Sequence, residues 1–276
     1  MPTGLGLDVK GLRGEFFERY EQAHAENSWW QSLCTTIQSN SSVEHHKWLG
    51  HVPHMREWGK GRVAKGLRAD SYNVANEKYE VTLEVDRDEL ADDQLGQIRV
   101  RTQELGQTAG EHKARLLSDL FINGSTSGYN SYDGVPFFDS SHSSGSSGNQ
   151  SNEITFDISD TATAGETDDV DAPTPFQCGL ALQKAISTMQ LFVDDQGKKM
   201  NIPASGLVVM CPTIQQWSWM QALGMKAPQS YTMAGGIIDS VTKGMAGLIP
   251  NPYLTDTSKF YLLKRKPKIL DIVQNA

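Results

Sequence analysis

Apolar side chains alternate with polar ones from Tyr79 to Asp86: Tyr79, Val81, Leu83 and Val85 fall on one side, Glu80, Thr82, Glu84 and Asp86 on the other. A period of two over this length predicts a half-buried strand. Beyond the acidic run Asp86 to Asp93 the period changes. Leu95, Ile98, Thr102, Leu105, Ala109, His112, Leu116 and Leu120 recur in steps of three and four, which predicts one face of a single helix from about Asp93 to Asn123. Asp92 or Asp93 would cap its start, where the helix dipole favours their charge, and Asn123-Gly124 would supply a left-handed stop. At 1.5 Å per residue such a helix is roughly 40 Å long. Gly96, Gly106 and Gly110 lie within it, each costing roughly 1 kcal/mol against alanine. A helix this long, weakened in this way, should lean on its own sheet or on a neighbouring chain.

Before this stretch, Leu12, Phe16, Tyr20 and Ala23 mark an amphipathic helix over Leu12 to Ala25, and the pair Trp29-Trp30 follows it. So short a piece cannot bury two tryptophans, so they should dock on the body of the protein or on another subunit. Arg56, Lys60, Arg62, Lys65 and Arg68 stand against Glu57 alone, with Gly59, Gly61 and Gly66 between them, a flexible basic loop. Glu80, Glu84, Asp86, Asp88, Glu89, Asp92 and Asp93 oppose it with Arg87 the single cation. Such patches fit either an internal salt-bridged face or two halves of a contact repeated between copies.

After the long helix, Asp133-Gly134 makes a turn and Pro136 holds Phe137-Phe138 extended. The Ser/Gly/Asn-rich stretch Ser140 to Asn152 should be a mobile surface loop with little role in the fold, tolerant of shortening. The acids of Asp157 to Asp171 lack the ligand order of a calcium loop and predict a solvated acidic loop. The remainder predicts an α/β unit. Thr174-Pro175 caps a helix carrying Leu182, Ile186, Met189 and Val193, and Gly206 to Cys211 is a buried strand. Thr213 to Gln216 would box a helix bearing Trp217, Met220 and Leu223. Gly247 to Pro252 forms a loop, and Phe260–Leu263 and Ile269–Val273 are strand-like.

With 38% apolar residues the 276-residue chain can bury a real core. No apolar run reaches bilayer length and the N-terminus has no signal-like core, so the chain should stay where it is made. Cys34, Cys178 and Cys211 lack CxxC spacing, against a disulfide framework or thiolate zinc site. The net charge of −8 would repel nucleic acid, so any contact with DNA should be local or merely enclosing. His24, His45, His46, His51 and His54 invite a metal-dependent hydrolase, but no HExxH accompanies them and Pro53 interrupts a helix there. The basic loop 56–68 could serve a nucleic-acid-binding protein, yet only Trp58 interleaves it. No catalytic motif or cofactor fingerprint emerges, so neither an enzyme nor a cofactor is expected.

Three ordered stretches are similar to one family: Trp48 to Trp58 (WLGHVPHMREW), Tyr79 to Gly96, and Tyr132 to Asp139 (YDGVPFFD). They resemble the major head subunit of Mu-like phages and prophages. The resemblance implies an α+β chain with the Hong Kong 97 type phage capsid fold. Its parts would be an N-terminal arm (1–47), an extended loop (48–76), a peripheral domain with a long spine helix (77–152), an axial domain (153–254), and axial strands returning toward the peripheral domain (255–276). It further implies a structural subunit in the virion, made in the bacterial cytoplasm. Hexamers and pentamers of it would enclose double-stranded DNA without reading its sequence, with portal, scaffold and possible cement proteins as partners and no membrane. The expected subunit-interface residues are Trp29, Trp30, Arg56, Trp58, Lys60, Arg62, Lys65, Arg68, Glu80, Glu84, Asp86, Asp88, Asp92 and Asp93. In that family a further strand after Ile269–Val273, returning to the peripheral domain, would be expected.

Overall fold

The computed structural model describes residues 5–39, 43–49, 69–85, 96–158, 169–203, 206–224, 246–265 and 270–275. Helix α1 (Leu5–Glu26) leads through a 3-10 turn (Ser28–Ser32) into strand β1 (Cys34–Ser39). Strands β2 (Val43–Leu49) and β3 (Ala69–Ala75) form a two-stranded antiparallel ribbon, Val43 opposite Ala75 and Leu49 opposite Ala69. Then comes α2 (Gln97–Asn123), the single long helix that the periodicity predicts, 27 residues without a break. Helix α3 (Pro175–Gln190), strand β4 (Leu207–Pro212), the short helix α4 (Gln216–Ala222) and strands β5 (Ala246–Asn251), β6 (Tyr261–Lys264) and β7 (Leu270–Asn275) complete the order.

Strand β4 is the centre of the molecule. It pairs with β5 in parallel and with β6 antiparallel, and all six of its residues are buried. Its unbroken apolar run follows from having both faces covered. Val208 and Met210 face one core with Trp30, Leu33, Ala114, Leu117 and Phe121, and so join the sheet to α2. Leu207, Val209 and Cys211 face a second core with Leu182, Ile186 and Trp219, from α3 and α4. The sheet is therefore sandwiched between the long helix and the second pair of helices. Asn251, fully buried at the end of β5, donates to Ser118 Oγ at 2.9 Å and ties the sheet to α2 by a hydrogen bond as well.

Several expectations need correction. Helix α1 extends well before Leu12. The N-cap of α2 is Gly96, in the left-handed region at φ 66°, so Asp92 and Asp93, which lie outside the described residues, are not its caps. Gly124 at its other end has φ −63° and is no left-handed stop. The buried positions of α2 are Thr102, Gly106, Gly110, Glu111, Ala114, Leu117, Ser118 and Phe121. This face is turned about 100°, one residue, from the face that the apolar spacing suggested. Its cause is α1, which lies along α2 in parallel: Glu15 bonds Arg99 and Gln103, and Arg19 bonds Gln107. A Cβ at Gly106 would stand 2.6 Å from the Phe16 carbonyl oxygen, and one at Gly110 2.7 Å from that of Tyr20. The glycines are the surface on which the two backbones meet.

Segment 76–85 has no regular secondary structure and lies in no ladder among the described residues, and Tyr79, Val81 and Leu83 are 56%, 52% and 40% exposed. The half-buried strand expected there does not form among the described residues. Thr174 does cap α3, in a reciprocal box with Gln177. The box at Thr213 does not form: residues 213–215 make a 3-10 turn without a side-chain cap, Gln216 points its amide to Met220 Sδ at 3.9 Å, and Gln215 turns inward to accept from Trp219 Nε1 at 3.2 Å and to donate to the Thr257 carbonyl oxygen. Residues 246–251 are strand β5 rather than a loop. The final strand β7 itself returns to the N-terminal part of the chain and pairs in parallel with β1.

The stretch 140–152 is no free loop. Gln150 uses both ends of its side-chain amide on Val193, donating to the carbonyl oxygen at 3.0 Å and accepting from the N–H at 2.7 Å. Ser146 N–H donates to the Asp195 carbonyl oxygen at 2.8 Å, and Asn152 bridges the Phe137 carbonyl oxygen and the Asp139 N–H. Polar side chains here stand in for a core by satisfying backbone groups of the neighbouring hairpin. Gln150→Ala should therefore lower stability by about 2 kcal/mol, since it strands two backbone groups, a fall in Tm of about 6 °C by scanning calorimetry. An unchanged Tm would return the loop to the role of spectator.

Candidate assembly surfaces

Trp30 is 3% exposed and packs with Leu33, Ala114 and Leu117 in the core against α2. Of the two dockings open to it, on the body or on another subunit, it takes the body of its own chain. Lys113 sits over its indole at 5.2 Å, and burial lowers the pKa of that lysine. Trp29 is half-buried against the same core, its indole N–H enclosed with no acceptor among the described residues.

The residues Arg56, Trp58, Lys60, Arg62, Lys65 and Arg68 lie outside the described residues, as do Asp86, Asp88, Asp92 and Asp93. What is described is the base from which the basic segment departs. The chain leaves the ribbon at Leu49 and re-enters opposite it at Ala69, with residues 50–68 between. Asn76, just beyond the ribbon, donates to Ser39 Oγ at 2.8 Å, and Ser39 in turn donates to Glu44 at 2.7 Å, which anchors the ribbon's near end to β1. Glu80 and Glu84 are exposed and make no ion pair among the described residues. Their neighbour Tyr79 lays its ring on His112 of α2, centroids 4.5 Å apart. Burial raises the pKa of that tyrosine, as does its hydrogen bond to Glu77 at 3.0 Å.

The charges of α2 that are paired face inward or along the helix. Burial pushes the Glu111 carboxyl up, but hydrogen bonds from Arg115 and Gln107 outweigh this and hold it below the ordinary range. Arg115 also lies over the Tyr253 ring at 5.1 Å, which links α2 to the segment after β5. Sequence reading did not find these contacts, because an i, i+4 acid-base pair on a helix looks like solvated surface.

The histidines separate rather than converge. His24 stacks on Tyr20 at 5.9 Å beside Trp30, while His45 on the ribbon bonds Asn73 at 2.7 Å. Among the described residues no group of three or more potential metal ligands comes together. Burial pushes the thiols of Cys178 and Cys211 up to about 12, so neither is a thiolate at neutral pH. No helix among the described residues is long and apolar enough to cross a membrane.

The chain is similar to several known phage head proteins. Its fold is similar to that of the bacteriophage JBD30 capsid, with a TM-score of 0.61 at 20% identity, covering 82% of this chain and 90% of that one. The same capsid decorated with minor capsid protein trimers matches equally well. In sequence the chain is 31% identical over 141 residues to the major capsid protein of Escherichia phage Mu, and 29% identical over 148 residues to the Mu-like prophage FluMu major head subunit of Haemophilus influenzae. These alignments span 51% and 52% of this chain and about half the length of the relatives, 45% and 47%. Residues 9–164 match the family model of the Mu-like prophage major head subunit gpT, more than half of the chain, and the protein belongs to that family.

Proposed function

We propose that this chain is the repeating subunit of an icosahedral phage head, a structural protein whose work is to assemble with copies of itself around double-stranded DNA. The observation that carries the reading is the capsid-like fold across 82% of the chain. It is supported by what the single subunit leaves undone: a ribbon with a basic segment beyond it, and the apolar side chains Tyr79, Val81 and Leu83, left 56%, 52% and 40% exposed. The fold is read as the Hong Kong 97 type, with α2 as the spine helix, residues 48–76 as the extended loop and the β4 sheet with α3 and α4 in the axial part.

The contacts are assigned by charge. Arg56, Lys60, Arg62, Lys65 and Arg68, with Trp58 among them, meet Glu80, Glu84, Asp86, Asp88, Asp92 and Asp93 of a neighbour, while Trp29 offers a half-buried indole. The subunits form hexamers and pentamers, portal and scaffold proteins direct the assembly, and a decorating protein of the kind seen on the JBD30 capsid is a further partner. The net charge of −8 gives the shell no general affinity for the DNA inside it. Electron microscopy of the purified protein tests the reading. Shells, tubes or capsomer rings are expected, and a protein that stays monomeric under all assembly conditions would overturn it.

A further inference from the structure

The histidines near the N-terminus do not converge among the described residues, and the one held by acceptors on both ring nitrogens lies elsewhere. His142 reaches from the 140–152 stretch to the Asp133-Gly134 turn. Its Nδ1 lies 2.7 Å from Asp133 Oδ2, and its Nε2 lies 3.2 Å from the Phe137 carbonyl oxygen. A carbonyl oxygen and an ionised carboxylate can only accept. Neutral imidazole donates from one nitrogen and accepts at the other, so only the imidazolium satisfies both partners. The His142 and Asp133 side chains are 17% and 7% exposed, and Asp133 Oδ1 is enclosed without a partner among the described residues. A buried carboxylate left half satisfied depends on the charge beside it. Asp139, just before His142 in the chain, is a second carboxylate facing the ring. Hydrogen bonds from the hydroxyl and N–H of Ser141 hold Asp139 below the ordinary range, and the charge of His142 adds to them.

We propose that His142 is a proton-set latch: as an imidazolium it fastens the loop 142–150 to the Asp133 turn, and loss of the proton releases it. The loop is closed on itself by the Gln150 N–H, which donates to the His142 carbonyl oxygen at 2.8 Å. It also carries the Gln150 side chain and the Ser146 N–H, which hold Val193 and Asp195. The latch therefore joins the segment after α2 to the turn after α3. Its direction follows from the proton count. The closed form holds one proton more than the open form, so rising pH opens the latch. Histidine is the side chain suited to such a device near neutral pH. The latch belongs to the single subunit and stands apart from the shell reading.

Nitrogen NMR of the His142 ring, with exchange of the Ser143 and Gln150 amides corrected for its intrinsic pH dependence, tests this on the purified chain across about pH 5 to 9. The Ser143 N–H donates to Asp133 Oδ2 at 3.3 Å and the Gln150 N–H to the His142 carbonyl oxygen, so both report closure. In the closed form both ring nitrogens should carry protons. Protection of the two amides should fall about tenfold as the ring deprotonates, the loss of one charge-assisted hydrogen bond. His142→Gln, which keeps a donor without the charge, should show the lower protection at every pH while the amides of α2 keep theirs. A ring with a single protonated nitrogen beside two protected amides would overturn the proposal. So would a pH response that survives in His142→Gln. The ring measurement needs no variant and decides by itself if His142→Gln does not fold.

Discussion

Gly110→Val is expected to destabilise the subunit by about 3 kcal/mol, the upper part of the range for overpacking a close contact, and to lower its Tm by about 10 °C. A side chain at this position would begin 2.7 Å from the Tyr20 carbonyl oxygen, 2.8 Å from Ala23 Cβ and 3.0 Å from the His24 nitrogen. Two of these are backbone atoms of α1, which cannot rotate away as a side chain tip can. Relief would require the helices to part, and that would open the core around Ala23, Trp30 and Ala114. The sharper comparison is with alanine. Helix propensity alone says that Gly110→Ala should stabilise by about 1 kcal/mol, whereas the contact says that it should destabilise. Gly14→Ala in α1, where nothing lies within 4 Å of the new methyl, should stabilise. Calorimetry of the three variants separates the two effects, and a Gly110→Ala protein more stable than wild type would show that α1 yields where this packing says it cannot.

Arg62→Glu with Lys65→Glu is expected to give a folded subunit that forms no shells. A single exposed pair contributes only ~0.2–1 kcal/mol, too little to hold two subunits together. Several such pairs per contact, repeated around a closed assembly, bias it decisively, and reversing two cations changes each contact by four charge units. The reversed segment would repel the acids it should meet. Glu84→Lys with Asp88→Lys on the same chain should restore assembly in part. Salt must weaken the wild-type contact as well, because the screening length at physiological ionic strength is about 8 Å. Electron microscopy across a salt series decides it. A doubly reversed protein that assembles normally at low and high salt alike would leave the segment 56–68 as solvated surface.

How far the chain could be read in advance depended on whether a signal was local. The long helix was legible because a period of 3.6 sustained from Gln97 to Asn123 has no other solution. The buried strand β4 was legible from its unbroken apolar run, and α3 from Thr174-Pro175, because these features are complete within a few neighbouring residues. Misreadings came where a residue's role depends on something distant. Gly106 and Gly110 look like defects in a helix until α1, some ninety positions earlier, is laid against them. Gln150 looks like part of a polar linker until Val193 is placed beside it.

The candidate assembly residues divide in the same way. Trp29 and Trp30 were visible as large apolar groups with no local home, but only the tertiary structure sends Trp30 into the core beside Leu117. The alternating Tyr79 to Val85 row was visible as a strand, but only the fold shows that it pairs with no strand among the described residues and leaves Tyr79, Val81 and Leu83 exposed. By itself the sequence determined the long helix, helix α3, strand β4 and the opposition of charge between 56–68 and 80–93, because these follow from backbone geometry and from side-chain chemistry at short range. The tertiary structure alone decided which face of α2 is buried, which tryptophan is spent internally and which apolar row stays open, because burial is a property of what packs against a surface, and periodicity shows that a surface exists without saying what covers it.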